Sequence, residues 1–369
     1  MSKEIISSRQ GVLIILMHFI GSLVMVGTDI SAKQNVWISV ILSLAMSLPV
    51  LLIYSKLLTL YPGKNLFDIA IEIFGNIFGK AIALLFILYS FHLGCLVIRN
   101  FSEYINVVSL PETPQPISIY FLGLLCIWMC KAGIEVLGRW VSLITPILLF
   151  ILAVAIILSL TEAHYINLLP VMYDGVKPIL ITSFSFLAFP FLEVVVVTML
   201  FDSFKHGSKA FRAFFISAAI GSLIMVLVLV RNVLVLGSEN INQVFFPSML
   251  AVKTINIGVF LQRIEVAVSI VFIFGAFVKI SICLMAASVG TAKVFNLDSS
   301  KYLVAPLGFL MMSMASILYG NIMEMFDWAS NIYQYYALPF QIIIPAVILI
   351  SAQIKIKVQS KKHKAAAGK

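Results

Sequence analysis

The chain alternates between long apolar runs and short polar stretches. Eight of the apolar runs contain no charged residue, and each is close to the roughly 20 residues that a helix needs to cross a bilayer. These runs are Gln10–Thr28, Gln34–Ser55, Ala81–Ile98, Thr113–Cys130, Trp140–Thr161, Ala213–Val230, Tyr302–Met323 and Trp328–Ile354. Two further runs, Pro178–Phe201 and Glu265–Ala292, are equally long but contain charges. The pattern therefore predicts ten transmembrane helices.

The composition supports this prediction. Of the 369 residues, 61% are hydrophobic and 11% are charged, whereas soluble globular proteins are about half apolar and about a quarter charged. We therefore expect an all-α integral membrane protein. Residues 1–354 are predicted to form a single transmembrane domain, and residues 355–369 a basic cytoplasmic tail.

The net charge of +9 is distributed unevenly about the predicted spans. One side carries Lys3, Arg9, Lys56, Lys64, Lys80, Lys131, Arg139, Lys205, Lys209, Arg212, Lys293, Lys301 and the tail lysines. The other side carries Lys33, Arg99, Lys177, Arg231, Lys253 and Arg263. Because positively charged loops stay in the cytoplasm, both termini are predicted to be cytoplasmic. The tail is expected to contact membrane lipids, and the charge pattern does not indicate a nucleic-acid partner.

Spans one and six both contain residues that interrupt helices. Gly21 and Ser22 lie in span one, and Ser185 and Pro190 lie in span six. A proline leaves the carbonyl four residues earlier, here that of Phe186, without its helical partner. In lipid such a group needs a partner from protein, water or ligand. Glycine and proline are also common in ordinary transmembrane helices, where they pack or kink the helix, so a single break does not by itself indicate a binding site.

Breaks at matching positions, five spans apart, indicate an inverted repeat. The two halves would comprise residues 10–161 and 178–354. Broken helices in corresponding places of two halves are typical of the LeuT-type 5+5 fold, whose binding site lies near the bilayer midplane.

Two charged residues lie well inside predicted spans, Glu193 in span six and Lys279 in span eight. A charge at membrane depth costs several kcal/mol unless it is paired or lines a wet cavity. We therefore predict that the two residues couple an ion or a proton to the site. In LeuT-like folds the first and eighth spans flank a sodium site, and the resemblance to such folds implies that the Lys279 ammonium takes the place of that ion. The alternatives are a structural Glu193–Lys279 pair, a hydrogen bond from Glu193 to a neighbouring helix, and a lysine that reaches towards the interface.

Aromatic and apolar residues near the break are candidates for the walls of a pocket. Phe184, Phe186 and Phe189 lie in span six, and Tyr89 and Leu93 lie on one face of span three. Small-molecule sites are lined mainly by such side chains. Each of these residues alone is equally consistent with core packing or with contact to lipid.

Four charges near the outer ends of spans three and eight form a candidate gate. Arg99 and Glu103 are spaced i, i+4 on one helix face, and Arg263 and Glu265 begin span eight on the same side of the membrane. Anchoring at the interface and local pairing are the alternative roles.

The sequence contains no recognisable catalytic motif. The five histidines are scattered, and the four cysteines lie within spans without metal-ligand spacing. We therefore expect no enzyme activity, no metal site and no cofactor.

Several stretches are similar to a known family of membrane proteins. In chain order they are Gln10-Gly11 with Gly21, Arg99-Asn100-Phe101-Ser102-Glu103, Leu110-Pro111-Glu112-Thr113-Pro114, Asn167-Leu168-Leu169-Pro170-Val171 with Gly175, Phe246-Pro247-Ser248, Gly258–Glu265 with Gln262-Arg263-Ile264-Glu265, and Phe295-Asn296-Leu297. The set covers almost the whole chain and resembles the GerAB-type subunit of bacterial spore germinant receptors, a branch of the amino acid–polyamine–organocation superfamily.

This resemblance implies a LeuT-type fold in the inner membrane of a dormant spore. It implies two partners, an A-type membrane subunit and a C-type lipoprotein subunit, and a small-molecule germinant as ligand. Carried over by position, the pocket would use Gly21, Ser22, Tyr89, Leu93, the stretch Phe184–Phe189, and Val278 with Lys279. Lys279 and Pro190 depart from the family pattern, and this leaves the ligand chemistry and the coupling ion open.

The function that we expect is the sensing of a nutrient germinant, an amino acid, at the membrane midplane, followed by signalling to the partner subunits. An amino acid permease that works by proton or sodium symport is the alternative, because the same fold serves both. A third possibility is a structural subunit that only holds its partners in register.

Overall fold

The computed structural model describes residues 4–23, 25, 31–205, 209–241, 243–255 and 264–367, with side chains as far as residue 360. The first half contains α1 (Ser8–Ile20), α2 (Val36–Leu60), α3 (Leu66–Tyr104), α4 (Gln115–Ala132) and α5 (Ile134–Ser159). The second half contains α6 (Lys177–Ala188), α7 (Val195–Thr198), α8 (Ala210–Leu236), α9 (Ser238–Ile241), α10 (Pro247–Lys253), α11 (Ile264–Phe295), α12 (Lys301–Ile317), α13 (Ile322–Asp327), α14 (Tyr333–Leu338) and α15 (Ile344–Ala367). The described residues contain no sheet, only an isolated parallel bridge between Ile6 and Phe204.

The helices follow the predicted apolar runs in order. Within the described ranges, eight helical segments are long and apolar enough to cross a membrane, and the apolar helices α1 and α12 are shorter. The last segment, Ile322–Ser360, is extended beyond the predicted run at both ends, so that the basic tail begins as a helix. The prediction of an all-helical, multi-pass membrane protein is confirmed at this level.

Helices α11 and α3 form the centre of the bundle. They pack against each other over much of their length, and α11 also contacts α1, α4, α5 and α12. Most of α11 is buried, whereas most of α5 faces outwards. Outward-facing apolar side chains such as Phe121, Trp128 and Phe150 are expected where a helix faces lipid.

Two glycines allow α1 and α11 to approach each other closely. A Cβ carbon at position 21 would lie 2.6 Å from the carbonyl carbon of Gly275, and one at position 275 would lie 2.6 Å from the nitrogen of Gly21. Small residues permit such backbone contact between helices in membranes. Gly21 is therefore a packing residue between two helices.

The segment around Pro190 interrupts the sixth predicted span. α6 ends at Ala188, residues Phe191–Val194 form a short 3₁₀ helix, and α7 follows. Pro190 has no N–H to continue the helical pattern. In the first span, α1 ends at Ile20 and residues 21–23 form a turn, whereas residues 24 and 26–30 lie outside the described part of the chain.

Candidate functional site

A buried ion pair lies where the first, sixth and eighth predicted spans meet. The Lys279 Nζ of α11 is 2.5 Å from Glu193 Oε2 in the 3₁₀ helix, and both side chains are fully buried. The same ammonium donates a hydrogen bond to Ser22 Oγ at 2.6 Å and lies 4.8 Å from the centre of the Phe189 ring. The pair and its hydrogen bond to Ser22 join α11, the 3₁₀ helix and the end of α1. Separating these segments would leave a buried charge without its partner, which is strongly destabilising.

A chain of hydrogen bonds extends from the ion pair to the last span. The Tyr333 hydroxyl donates to Glu193 Oε1 at 2.6 Å and lies 3.3 Å from the Tyr89 hydroxyl. The Gln341 Nε2 donates both to the Tyr89 hydroxyl, at 2.8 Å, and to the Ala188 carbonyl, at 2.9 Å. Each Glu193 oxygen therefore has a donor, and a backbone carbonyl at the end of α6 is satisfied by a side chain of another span.

A cavity of about 310 Å³ opens beside the ion pair. It lies between α3, α6 and residues 319–335, and Glu193 forms part of its wall. Its polar lining residues include Ser31, Asn100, Thr182, Ser185, Glu193, Tyr319, Ser330, Asn331, Tyr333, Gln334 and Tyr335. The cavity is at the lower end of the volume range of small-molecule sites and has their mixture of apolar walls and a few polar groups.

Several of the predicted site residues lie in the wall of this cavity. They are Leu93, Ser185, Phe186, Phe189 and Glu193. The Ser185 hydroxyl also hydrogen-bonds Gln334 Oε1 across the cavity wall. The break in span six therefore supplies both the carboxylate of the ion pair and one side of the cavity.

The structure places four other candidates behind the cavity or beside it. Gly21 packs against α11, and Ser22 accepts the hydrogen bond from Lys279. Tyr89 is fully buried behind Tyr333. The ring of Phe184 is next to that of Tyr335, with 5.9 Å between their centres.

Sequence reasoning missed the contribution of the last span. Tyr333, Gln334 and Gln341 are buried polar residues in a predicted span, and Gln334 and Gln341 are spaced i, i+7 on one helix face. This spacing was a usable signal for an inward-facing polar stripe. Asn100, which lies in one of the family-like motifs, also lines the cavity.

Arg99 and Glu103 form an ion pair near one end of the cavity. Arg99 Nη2 is 2.8 Å from Glu103 Oε1, and both side chains are largely buried. Arg99 also donates to the carbonyls of Ser316, at 3.3 Å, and Tyr319, at 2.9 Å, while Gln115 Nε2 donates to Glu103 at 2.7 Å. Tyr319 itself lines the cavity.

Of the other two predicted gate residues, Arg263 lies outside the described residues. Glu265 is half-buried in the first turn of α11, where its carbonyl accepts a hydrogen bond from Ser269.

The described ranges contain no cluster of three or more His, Cys, Asp or Glu side chains that could hold a metal ion. The four cysteines are buried, and none is in a disulfide.

Comparison with known proteins assigns a family to this arrangement. A family model described as "Spore germination protein" matches residues 5–322. Spore germination protein KB of Bacillus subtilis (strain 168) is 28% identical over 367 residues, which is 98% of this chain and 98% of that protein. Spore germination protein YndE of the same organism is 25% identical over 274 residues, or 73% of this chain and 74% of that protein.

A solved structure shares the fold. Mhp1, a nucleobase-cation-symport-1 family transporter in a closed conformation with bromovinylhydantoin bound, superposes with a TM-score of 0.73. The likeness covers 94% of this chain and 78% of that one at 13% sequence identity. At this identity the comparison shows a transporter-type helical fold and no more.

Proposed function

Because the chain belongs to the spore germination protein family, we propose that it is the nutrient-sensing subunit of a spore germinant receptor. A small germinant binds in the cavity beside Glu193, and the bound state is read by partner subunits in the membrane. The observation that carries this proposal is that one residue, Glu193, lines the cavity and also forms the buried ion pair with Lys279.

This double role connects ligand binding to the arrangement of the helices. A polar ligand in the cavity can compete for Glu193 with Tyr333 and Lys279, which lie on different spans. Any change in these hydrogen bonds alters contacts among α1, α11 and the last span. A ligand shifts such an equilibrium only if it binds one arrangement better than the other, and a carboxylate shared between ligand and helices provides that difference.

An amino acid is the ligand class that we propose first. Its ammonium would approach the Glu193 carboxylate, and its side chain would contact the apolar wall formed by Leu93 and Phe186. The neutral donors Asn100 and Gln334 are within the same lining and would receive its carboxylate. The cavity volume of about 310 Å³ suits a molecule of this size.

The proposed function also involves a particular number of spans, a topology in the membrane and two partner subunits. We propose ten spans in a LeuT-type 5+5 repeat, supported by the order of the helices, by the ends of α1 and α6 within spans one and six, and by the transporter fold of Mhp1. The positive-charge pattern supports cytoplasmic termini, and the family supports residence in the inner membrane of the spore. An A-type membrane subunit and a C-type lipoprotein are the proposed partners.

Transport by proton or sodium symport is a second candidate function. The observation that favours it is the position of the Lys279 ammonium, which bridges Ser22 at the end of α1 and Glu193 after the break in α6. A charge in that position could respond to an ion or a proton during a transport cycle. In this case radiolabelled amino acids would accumulate in proteoliposomes, whereas the receptor would bind ligand without accumulation.

The test fills the cavity with a single substitution. Ser185→Phe places a ring in the cavity, and Leu180→Phe, on the same helix but half exposed on its outer face, is the matched control. Spores that depend on this receptor are assayed against a panel of amino acids, with the level of the subunit measured in parallel. We expect Ser185→Phe to abolish or alter the response at normal protein level and Leu180→Phe to leave it unchanged. An unchanged response in both variants would contradict a ligand site in this cavity.

A further inference from the structure

A groove of about 400 Å³ lies between the first turns of α1 and α8, away from the central cavity. Its apolar lining consists of Val12 of α1, Ala213 and Ile216 of α8, and the ring of Phe204. It lies on the side that the positive-charge pattern predicts to be cytoplasmic. At that level a helical bundle meets the headgroups of the bilayer.

The apolar floor of the groove is held in place by the N-terminal segment. The Ile6 N–H donates to the Ser203 carbonyl at 2.9 Å, and the Lys205 N–H donates to the Ile6 carbonyl at 3.0 Å. The Phe204 ring between these bonds is 4% exposed and packs on Gly11, where a Cβ carbon would lie 2.9 Å from Cδ1 of the ring. The groove is therefore a formed feature of the fold.

Three cations line the groove, and no acidic residue is among its described lining residues. Arg9, Lys209 and Arg212 line it, and each is exposed. None of the three forms an ion pair with a described residue, unlike Lys64, Lys293 and Lys301 elsewhere on the same predicted side. Neither α1 nor α8 has an acidic residue in its first turn, so the helix ends add to the positive potential.

An apolar surface continues from the groove along α8. Phe215, Ile220 and Leu223 are 40%, 38% and 60% exposed, respectively. With Arg212 and Ile216 they lie on one side of the helix, at spacings of three, four and seven to eight residues. In a bilayer this strip faces acyl chains directly below the three cations.

We propose that this groove binds the headgroup phosphate of an anionic phospholipid from the surrounding bilayer. Three unpaired cations match a negatively charged headgroup, and the apolar strip matches the chains attached to it. An acidic peptide segment would match the cations but not the strip, so the combination favours the lipid. Phe204 follows the broken segment that contains Glu193, and a lipid at this groove would therefore brace one end of that segment.

The test compares two triple variants that remove the same charge. The groove variant replaces all three cationic side chains that line the groove: Arg9→Gln/Lys209→Gln/Arg212→Gln. Lys56→Gln/Lys80→Gln/Lys131→Gln removes three lysines on the same predicted side that lie outside the basic tail and have no ion-pair partner among the described residues. Each protein is purified from nanodiscs of mixed phosphatidylglycerol and phosphatidylcholine, and the lipid retained per protein is counted by native mass spectrometry.

We expect the groove variant to lose phosphatidylglycerol retention by about tenfold or more, and the control to keep it. A third variant, Ile216→Trp, retains all charges but fills the groove, and it is expected to lose the same lipid. Equal losses in the two triple variants would show a diffuse charge effect and overturn the proposal. Unchanged retention in the groove variant would also overturn it. Binding of a poly-glutamate peptide by the wild type without retained phosphatidylglycerol would assign the groove to a protein partner instead.

Discussion

Gly21 and Gly275 bring the backbones of α1 and α11 into direct contact. Gly275 is one helical turn before Lys279, and Gly21 precedes Ser22. This close approach therefore allows the Lys279 ammonium to reach Ser22 Oγ at 2.6 Å. The small residues and the buried ion pair form one structural unit, and substitutions at either are expected to affect the same helix contact.

Gly21→Ala and Gly275→Ala are expected to destabilise the protein by about 1–3 kcal/mol, because a Cβ carbon at either position meets backbone atoms that cannot move aside. The apparent melting temperature in detergent measures the effect. Gly320→Ala is the control, since its nearest neighbour is the flexible Glu324 side chain, at 3.3 Å. Equal melting temperatures for the three variants would contradict the packing role. It follows that loss of germination in a Gly21 variant reports helix packing as well as ligand binding.

Lys279→Met is expected to cost about 3–5 kcal/mol, because it leaves the Glu193 charge buried without its partner. The double variant Lys279→Met/Glu193→Gln removes both charges and is expected to recover much of that loss in a thermal melt. Lys301→Met, which breaks a partly exposed pair with Glu4, serves as control, with an expected cost of about 0–1 kcal/mol. A double variant no more stable than the single one would show that the charge imbalance is not the cause.

Tyr333→Phe removes the hydroxyl that donates to Glu193 Oε1. We expect it to weaken the response to the germinant and to cost about 1–3 kcal/mol of stability, since a buried carboxylate oxygen loses its donor. Tyr302→Phe is matched in chemistry but lies at an exposed position, where the side chain is 79% accessible. Dose–response curves for germination and melting temperatures are measured for both. A Tyr333→Phe protein with wild-type values in both assays would contradict this role.

Arg99→Lys is expected to reduce stability and slow germination although it keeps the charge. A lysine cannot reproduce the simultaneous bonds of the guanidinium to Glu103 and to the carbonyls of Ser316 and Tyr319. Lys177→Arg, at an exposed position, tests the general effect of exchanging the two cations. If both variants match the wild type in stability and germination rate, a positive charge at position 99 is sufficient for both, and the several hydrogen bonds of the guanidinium are not required.

The sequence by itself determined that this is an all-helical, multi-pass membrane protein, and it identified Glu193 and Lys279 as charges inside apolar runs. Both results depend on local properties: a run of apolar residues either can or cannot cross a bilayer, and a charge inside such a run needs compensation whatever its neighbours are. The structure shows that the two charges compensate each other. The pairing itself was only one of several alternatives in the sequence, because 86 residues separate the partners.

Only the tertiary structure decided which residues surround the cavity. Tyr333, Gln334 and Asn100 enter its wall because the last span contacts both α3 and α6. Local sequence patterns do not determine the angles at which these helices pack. Gly21 was predicted to lie in the pocket, yet the structure places it against Gly275. A glycine in a helix allows close approach of any neighbour, and the fold alone determines whether that neighbour is a ligand or another helix.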